Sequence, residues 1–424
     1  MAEDLLQPSE ERAQGEIAAS QLRTTHAVRE RCARLLAHAR TRGSAWFDVD
    51  EDAMRSSARE VATTIRHDFP RLNVPVHSVW RLLGQDGIDR REQLEQPLQQ
   101  LTPAERTHAR LDFAVVAVLL STAMGSASPY TEPATGRRLA GEAGRVVGTL
   151  HAFNAGLFSS DPQRPFQCDA HGLRGVVTDQ LAGVLQVHPP EAQEALGRQA
   201  VLLRRLGELL SEQPEVFGED GRPAGVFDVI VSPYGHGIPH TADVDAHDIL
   251  SQLLTTLPGL WPGAGQLGGV ALGDCWRHGD AGVDGPSREW VPLHATLQAL
   301  ALSLLEPFFW GGVQVRGIGG LTAIADRPLC DWMLETGVLR LRDERTASSD
   351  WTCGDAVVVE WRALSLALME EMAPLMRDFL GCERSELPMG CILEGVARAA
   401  DRNRSGRHPA RRSLLRVDSE PALF

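Results

Sequence analysis

Two carboxylates lie in segments whose other residues are almost all apolar or small. Glu360 and Arg362 are the only charges between Ala356 and Met369, and a carboxylate in such a run is costly unless it is paired or hydrogen-bonded. Asp326 follows four small or apolar residues. Such carboxylates are common at catalytic sites. The pair suits N-glycoside hydrolysis, which needs negative charge near an oxocarbenium-like centre and a base for water.

Each carboxylate also has a purely structural interpretation. Glu360 and Arg362 would form an ion pair that ties a helix to a strand, since their side chains share one face if both residues are extended. Asp326 would cap a helix that runs toward Trp332 and Leu334. The sequence leaves the catalytic and the structural interpretation open for both carboxylates.

The elements around Glu360 follow from its neighbours. The β-branched triplet 357–359 favours a short strand. Trp361, Leu364, Leu368 and Met372 then recur at helical spacing. The pattern therefore predicts that Glu360 lies near a strand-to-helix junction.

Two further polar candidates lie between residues 267 and 294. Asp274 and Trp276 belong to an irregular segment, and irregular backbone with bulky aromatic residues often lines a pocket. Asp274 would otherwise cap a helix or a turn. His294 starts the next core helix, where a lone histidine either contacts a ligand or is structural.

The segment from Tyr234 to Asp248 concentrates three histidines and three aspartates. Their spacing matches no standard metal-ligand motif, and the glycines and proline are typical of a loop. We expect a solvated loop that leads into a helix over 246–257, with no bound metal and no cofactor. A metal site is the alternative interpretation.

The charged residues exclude several chemistries. All 42 basic side chains are arginine, so a lysine Schiff base, a pyridoxal-phosphate lysine and a Walker-type phosphate loop are impossible. A formal net charge of −14 and a pI of about 5.5 argue against binding to nucleic acid or to an anionic membrane. An anion would instead be held by arginine forks, helix N-termini or backbone amides.

The cysteines and the apolar runs indicate a cytoplasmic protein. Seven cysteines are dispersed without a Cys-x-x-Cys motif, which fits a reduced compartment. The N-terminus lacks an apolar signal core. No stretch approaches 18 uninterrupted apolar residues, so we expect no membrane span.

Apolar periodicity predicts a mainly helical globular fold with a few short strands or hairpins. Helical patterns cover 141–158, 173–185, 190–212 and 246–257, and a further core helix begins near Leu293. We expect a mobile acidic N-terminus over 1–18 and one large helical domain over 19–400, with a possible break near 213–245. An arginine-rich tail follows over 401–424.

Several short segments, in a shared order, resemble proteins of the ring-opening uracil-catabolism (URC) pathway, specifically the component of its late, urea-releasing step. The likeness runs from about residue 24 to 424. The chain departs from that pattern at Ser121, at Ser128-Pro-Tyr130 and at Glu394-Gly-Val-Ala397. The segments that carry the resemblance include Trp46-Phe-Asp-Val-Asp50, His77-Ser-Val-Trp-Arg81, Gly269-Val-Ala-Leu-Gly-Asp-Cys-Trp276, Val291-Pro-Leu-His294 and Val359-Glu-Trp-Arg-Ala-Leu364.

The resemblance implies cleavage of a ribosylurea-type intermediate, with or without a 5-phosphate, to urea and the sugar. Residues 320–372 also look like the paired motifs of the queuosine-salvage nucleoside hydrolases, which are helical proteins akin to helix-hairpin-helix glycosylases. That likeness implies such an arrangement in the C-terminal half.

The leading hypothesis is a metal-independent N-glycoside hydrolase that acts on a small-molecule substrate. Asp326 would stabilise the sugar cation or act as nucleophile, and Glu360 would position water or be held by Arg362. The alternatives are a metal-dependent amidohydrolase that acts on a ureido group through the 236–248 cluster, and a non-catalytic binding protein. The expected substrate-binding residues are Arg362, Trp361, Asp274, Trp276, His294 and, for a phosphate, Arg81.

Overall fold

The computed structural model describes residues 3–121, 129–188, 190–234, 242–261, 263–282, 284–406 and 415–418. Helices dominate these ranges, which confirms the predicted mainly α fold. The α-helices are α1 Glu3–Leu22, α2 Thr25–His38, α3 Glu51–Asp68, α4 Val79–Leu82, α5 Arg91–Leu98, α6 Pro103–Ser121, α7 Gly141–Asn154, α8 Ala170–Arg174, α9 Thr178–Leu185, α10 Pro190–Ser211, α11 Pro214–Phe217, α12 Gly225–Val231, α13 Ala246–Thr256, α14 Ala295–Trp310, α15 Arg327–Glu335, α16 Arg345–Ser348, α17 Ala356–Leu380 and α18 Met389–Gly406.

The strands are short and join only in pairs within the described ranges. Four pairs are antiparallel: β1 with β10, β2 with β3, β5 with β6 and β7 with β8. Two are parallel: β4 with β9 and β11 with β12. The strands are β1 Phe47–Val49, β2 Tyr130–Thr131, β3 Arg138–Leu139, β4 Asp243–Asp245, β5 Gly265–Leu267, β6 Val270–Gly273, β7 Cys275–Arg277, β8 Trp290–Pro292, β9 Gln314–Arg316, β10 Leu339–Leu341, β11 Asp350–Thr352 and β12 Arg416–Asp418.

Helix α17 forms the centre of the core. Every residue from Val357 to Met369 is buried, and the helix packs against α2 and α3. A helix that is apolar all round is stable only when it is surrounded in this way. A second group of packed helices contains α6, which packs against α7 and α14.

The strand predicted over 357–359 is wrong, because α17 begins at Ala356. A β-branched residue costs less than about 0.7 kcal/mol in a helix, whereas burying a valine side chain contributes roughly 1.5 kcal/mol or more. Three valines that are 1% exposed or less therefore favour the helix that buries them. Local β propensity is overridden by tertiary packing.

Helix α1 lies where the sequence suggested only a polar, acidic N-terminus. Its Gly15 approaches Gly268 so closely that a Cβ added to Gly15 would lie 2.6 Å from the Gly268 Cα. Ala19 and Leu22 pack with Leu272 and Trp290 in a small separate apolar cluster. The second half of α1 is thereby attached to the β5–β6 hairpin.

Within the described ranges, no helix is both long enough and apolar enough to cross a membrane. All seven cysteines are free thiols, and six of them are buried.

Candidate active site

Asp326 is the N-cap residue of α15. Its Oδ1 accepts a hydrogen bond from the amide of Leu329 at 3.0 Å. Within the described residues Oδ2 has no hydrogen-bond partner, and the side chain is only partly buried. The predicted capping role is therefore correct, but capping uses one oxygen and leaves the other available.

Surrounding charges and burial raise the pKa of Asp326 to about 6. Burial is the largest cause, and the charge of Glu142 raises the pKa further. The Leu329 amide, His77 and Arg362 act in the opposite direction. Asp326 is therefore mostly ionised at pH 7, yet it is a better proton acceptor than an exposed aspartate.

His77 and Glu394 form an ion pair, and the charges of His77 and Asp326 act on each other. His77 Nδ1 lies 3.0 Å from Glu394 Oε2, and the His77 amide donates to the carbonyl of Gly390 at 2.9 Å. Burial alone would lower the pKa of His77, but the hydrogen bond and charge of Glu394 outweigh it and raise the pKa. Arg398 Nε also binds Glu394 at 2.9 Å. The pair therefore favours a protonated imidazole.

We call the four residues Asp326, His77, Glu142 and Glu394 the Asp326 cluster. Glu142 lies in the first turn of α7, and its charge acts on both Asp326 and His77. Sequence reasoning did not assign chemistry to the last three residues. The only available signal was the position of His77 in one family-like segment and of Glu394 in a segment that departs from the family pattern.

Arg362 and Asp274 form a buried ion pair behind the cluster. The two terminal nitrogens of Arg362 bind the carboxylate oxygens of Asp274 at 2.7 and 2.6 Å. Arg362 Nε donates to the carbonyl of Ala325 at 3.0 Å. Arg362 thus fixes the residue that immediately precedes Asp326.

Asp274 organises the segment between β6 and β7. It accepts hydrogen bonds from the amide of Ala295, the first residue of α14, at 2.9 Å and from Trp276 Nε1 at 2.8 Å. Burial would raise its pKa, but the charge and hydrogen bonds of Arg362 dominate and lower it. Asp274 is therefore not the N-cap residue of a helix, a position that His294 occupies in α14, but its carboxylate binds the first amide of that helix from the bend between β6 and β7.

Glu360 contacts His278, and the expected pair with Arg362 is wrong. His278 Nε2 lies 3.4 Å from Glu360 Oε2, and both side chains are almost fully buried. Residues two positions apart on a helix point about 200° away from each other, so Arg362 faces Asp274 instead. Glu360 Oε1 and His278 Nε2 have no hydrogen-bond partner among the described residues.

The remaining aromatic candidates differ in exposure. Trp361 is fully buried, and its Nε1 donates to the carbonyl of Cys330 at 3.1 Å. The Arg327 guanidinium lies 5.7 Å from the Trp361 ring centroid. Trp276 is partly exposed, so of the two predicted tryptophans it is the one with surface available to a ligand.

His294 and Arg81 are both engaged by the protein. His294 is 1% exposed, its Nε2 contacts the carbonyl of Leu22 at 3.0 Å, and burial lowers its pKa. Arg81 binds Glu306, which also accepts a hydrogen bond from Ser78 at 2.9 Å. Arg81 Nε has no acceptor in the part of the chain that the structure describes.

The 236–248 cluster is only partly visible, since residues 235–241 lie outside the described ranges, as does Ser128. Asp245 caps α13 through the amide of His247 at 2.8 Å. Asp243 lies 2.7 Å from Arg316. Among the described residues, no three His, Cys, Asp or Glu side chains are grouped for a metal ion.

Comparison with known proteins places the chain among relatives of matching length. It is 27% identical to "Protein urg3" of Schizosaccharomyces pombe over 375 residues, which cover 87% of this chain and 88% of that protein. It is 25% identical to "Uracil catabolism protein 4" of Lachancea kluyveri over 336 residues, 73% of this chain and 76% of that protein.

The family comparison covers almost the whole chain. Residues 21–424 match the model described as "Protein of unknown function (DUF1688)". The matched range contains Asp326, His77, Glu142, Glu394 and the Arg362–Asp274 pair. The chain belongs to the DUF1688 family.

Proposed function

We propose that the protein acts in uracil catabolism as an N-glycoside hydrolase, cleaving a ribosylurea-type N-riboside to urea and the sugar. The name of the Lachancea kluyveri relative supports the pathway. The observation that carries the reaction type is the Asp326 cluster. In it, a carboxylate with one free oxygen and a pKa raised to about 6 is acted on by the charge of a histidine that is paired with Glu394.

The charge of the cluster suits the transition state of this reaction. Cleavage of the bond between the sugar C1′ and nitrogen leaves positive charge on the sugar ring. Asp326 is the carboxylate that stabilises this charge or attacks C1′, and Glu142 adds negative potential from α7. The partly buried position strengthens both effects, because electrostatic stabilisation grows as water is excluded.

His77 supplies the proton that the leaving group needs. As the C1′–N bond breaks, its electron pair passes to the urea nitrogen, which takes a proton from His77 Nε2. Nδ1 is held by Glu394 at 3.0 Å, so Nε2 is the nitrogen available for transfer. Water then adds to C1′, its proton passes to Asp326, and solvent exchange returns both groups to their starting states.

The other site residues predicted from the sequence either support the site or contact the substrate and water. Arg362, Asp274, Trp361 and His294 are at most 2% exposed, so we assign them to the frame that holds the site. Trp276 and the free Nε of Arg81 are the proposed substrate contacts, Arg81 for a 5-phosphate. Glu360 is also buried, at 4% exposed, but its Oε1 has no hydrogen-bond partner among the described residues, and we assign it the positioning of a buried water.

The test is a single-turnover assay of urea release from ribosylurea, with and without a 5-phosphate. We expect release by the wild type and loss of release by Asp326→Asn. The matched control is Asp50→Asn, since Asp50 is also a helix-capping aspartate. No release from either substrate would overturn the substrate assignment. Release that a chelator abolishes, together with a stoichiometric metal, would favour the amidohydrolase instead.

A further inference from the structure

A cavity of about 610 Å³ lies where α1 ends and α2 begins. We call it the α1–α2 cavity. It shares no residue with the Asp326 cluster, and its volume is within the range of small-molecule sites. The lining residues that matter here are Thr24, Thr25, His26, Arg31, His247 and Ser287.

Arg31 is a buried cation without an acidic partner in the described part of the chain. It is 5% exposed. Its terminal nitrogens donate to the Ser287 hydroxyl at 3.2 Å and to the Arg288 carbonyl at 3.4 Å, and its Nε has no acceptor among the described residues. Glu30 also lines the cavity and binds Arg34 at 2.9 Å. Burial lowers the pKa of Arg31, and the charge of Glu30 offsets this only in part. A buried charge of this kind is costly until an anion neutralises it.

Helix α2 presents its N-terminus to the same cavity. Thr24 caps the helix by accepting from the Ala27 amide at 3.1 Å. The amides of Thr25 and His26, which precede Ala27, have no acceptor among the described residues. Free first-turn amides and the positive end of the helix dipole form a site for an anion.

We propose that the α1–α2 cavity binds a phosphate monoester of a small sugar or nucleoside. Arg31 supplies the buried charge, and the Thr25 and His26 amides donate to the phosphate oxygens. His26 and His247 are among the residues that line the cavity. The cavity is much larger than a phosphate ion, which leaves space for the organic part. This site is separate from the proposed reaction and does not depend on it.

The probe is ribose 5-phosphate, with ribose and inorganic phosphate as comparisons, titrated by calorimetry into the full-length protein at pH 7. We expect saturable binding of ribose 5-phosphate, weaker binding of inorganic phosphate and none of ribose. Arg31→Gln should weaken binding by about tenfold or more, since it removes a charge-assisted contact. Arg55→Gln, at a 68% exposed side chain, is the charge control.

A matched pair of variants at Thr25 tests the proposal even if the Arg31→Gln variant does not fold. Thr25 is the first helical residue, where proline is tolerated, and Thr24 is already extended with φ −125° and ψ 146°. Thr25→Pro deletes one amide donor, whereas Thr25→Ala keeps it. We expect the Thr25→Ala variant to bind ribose 5-phosphate at least about tenfold more tightly than the Thr25→Pro variant does.

Two outcomes would overturn the proposal. One is equal affinity in the wild type, Arg31→Gln and Thr25→Pro, or no saturable binding at all. The other is binding that Arg81→Gln abolishes while Thr25→Pro retains it, because the ligand would then lie at the proposed active site, where Arg81 is the 5-phosphate contact. Ribose 5-phosphate binding that is unchanged in Arg81→Gln and weakened in Thr25→Pro would separate the two sites.

Discussion

Arg362 connects Asp274 to the backbone that carries Asp326. Its terminal nitrogens bind Asp274 at 2.7 and 2.6 Å, and its Nε holds the carbonyl of Ala325 at 3.0 Å. The three residues come from α17, the turn before β7 and the segment before α15. One guanidinium therefore fixes the position of the proposed catalytic carboxylate relative to the core helix.

We expect Asp274→Asn to destabilise the protein by about 3–5 kcal/mol, because it leaves the buried charge of Arg362 uncompensated. Urea denaturation measures this change. The control is Asp48→Asn, which breaks the exposed 2.8 Å pair with Arg342 and should cost less than about 1 kcal/mol. A similarly small loss for Asp274→Asn would show that the buried pair does not hold the frame.

We expect Asp326→Asn to lower kcat by at least about a hundredfold, roughly 2.7 kcal/mol of transition-state stabilisation. The assay is single-turnover urea release. Asparagine is about as good an N-cap as aspartate, so a role in capping alone predicts near-normal turnover. That result would remove Asp326 from the mechanism.

Asp326→Asn should not lower the free energy of unfolding at neutral pH. The pKa of Asp326 is raised to about 6 from the ordinary 3.8, so the folded protein binds more protons than the unfolded chain between these values. The wild type therefore loses stability as pH rises from about 4 to 6. We expect Asp326→Asn to gain on the order of 1–2 kcal/mol at pH 7, after allowance for partial exposure, and nothing at pH 4. Urea denaturation at both pH values measures the difference.

We expect kcat/KM to fall as pH drops through about 6, because Asp326 becomes protonated. We also expect kcat/KM to fall as pH rises above the raised pKa of His77, because the imidazole loses the proton that it donates. Glu394→Gln removes the partner of His77, so burial then lowers the pKa of His77 and the alkaline limb moves to lower pH. Arg398→Gln is the control, because it leaves the 3.0 Å contact between His77 and Glu394 in place. An alkaline limb that does not move in Glu394→Gln would exclude His77 as the acid.

The ion pair between His77 and Glu394 also stabilises the folded protein over a limited range of pH. The raised pKa of His77 contributes stability below its ordinary 6.5, which is lost as pH rises through the folded pKa. The lowered pKa of Glu394 contributes stability above its ordinary 4.5, which is lost as pH falls through the folded pKa. We expect the loss of stability in Glu394→Gln to be greatest between these two values, as measured by thermal unfolding across pH.

We expect Glu360→Gln to change stability by less than about 1 kcal/mol, since Arg362 is already neutralised by Asp274 and glutamine keeps a contact with His278. The water-positioning role predicts a loss of about tenfold or more in kcat. Thermal unfolding and the urea assay are measured on the same preparation. Wild-type turnover in this variant would limit Glu360 to a structural role.

The sequence by itself determined the helical architecture and several local features. Helical spacing predicted α10, α13 and α14, and the position of Asp326 gave helix capping as one of its two interpretations. These features depend on residues within a few positions of each other, where propensity and periodicity act directly. The absence of lysine likewise excluded whole reaction classes without any structure.

Only the tertiary structure decided which charges meet. His77 and Glu394 are 317 positions apart, and Asp274 and Arg362 are 88 apart. No local pattern encodes such pairs, because they form only when packing brings distant elements together. The β-branched start of α17 became helical for the same reason, since burial on all sides contributes more than local strand propensity. Once residue 360 is helical, Glu360 points to His278 and Arg362 to Asp274.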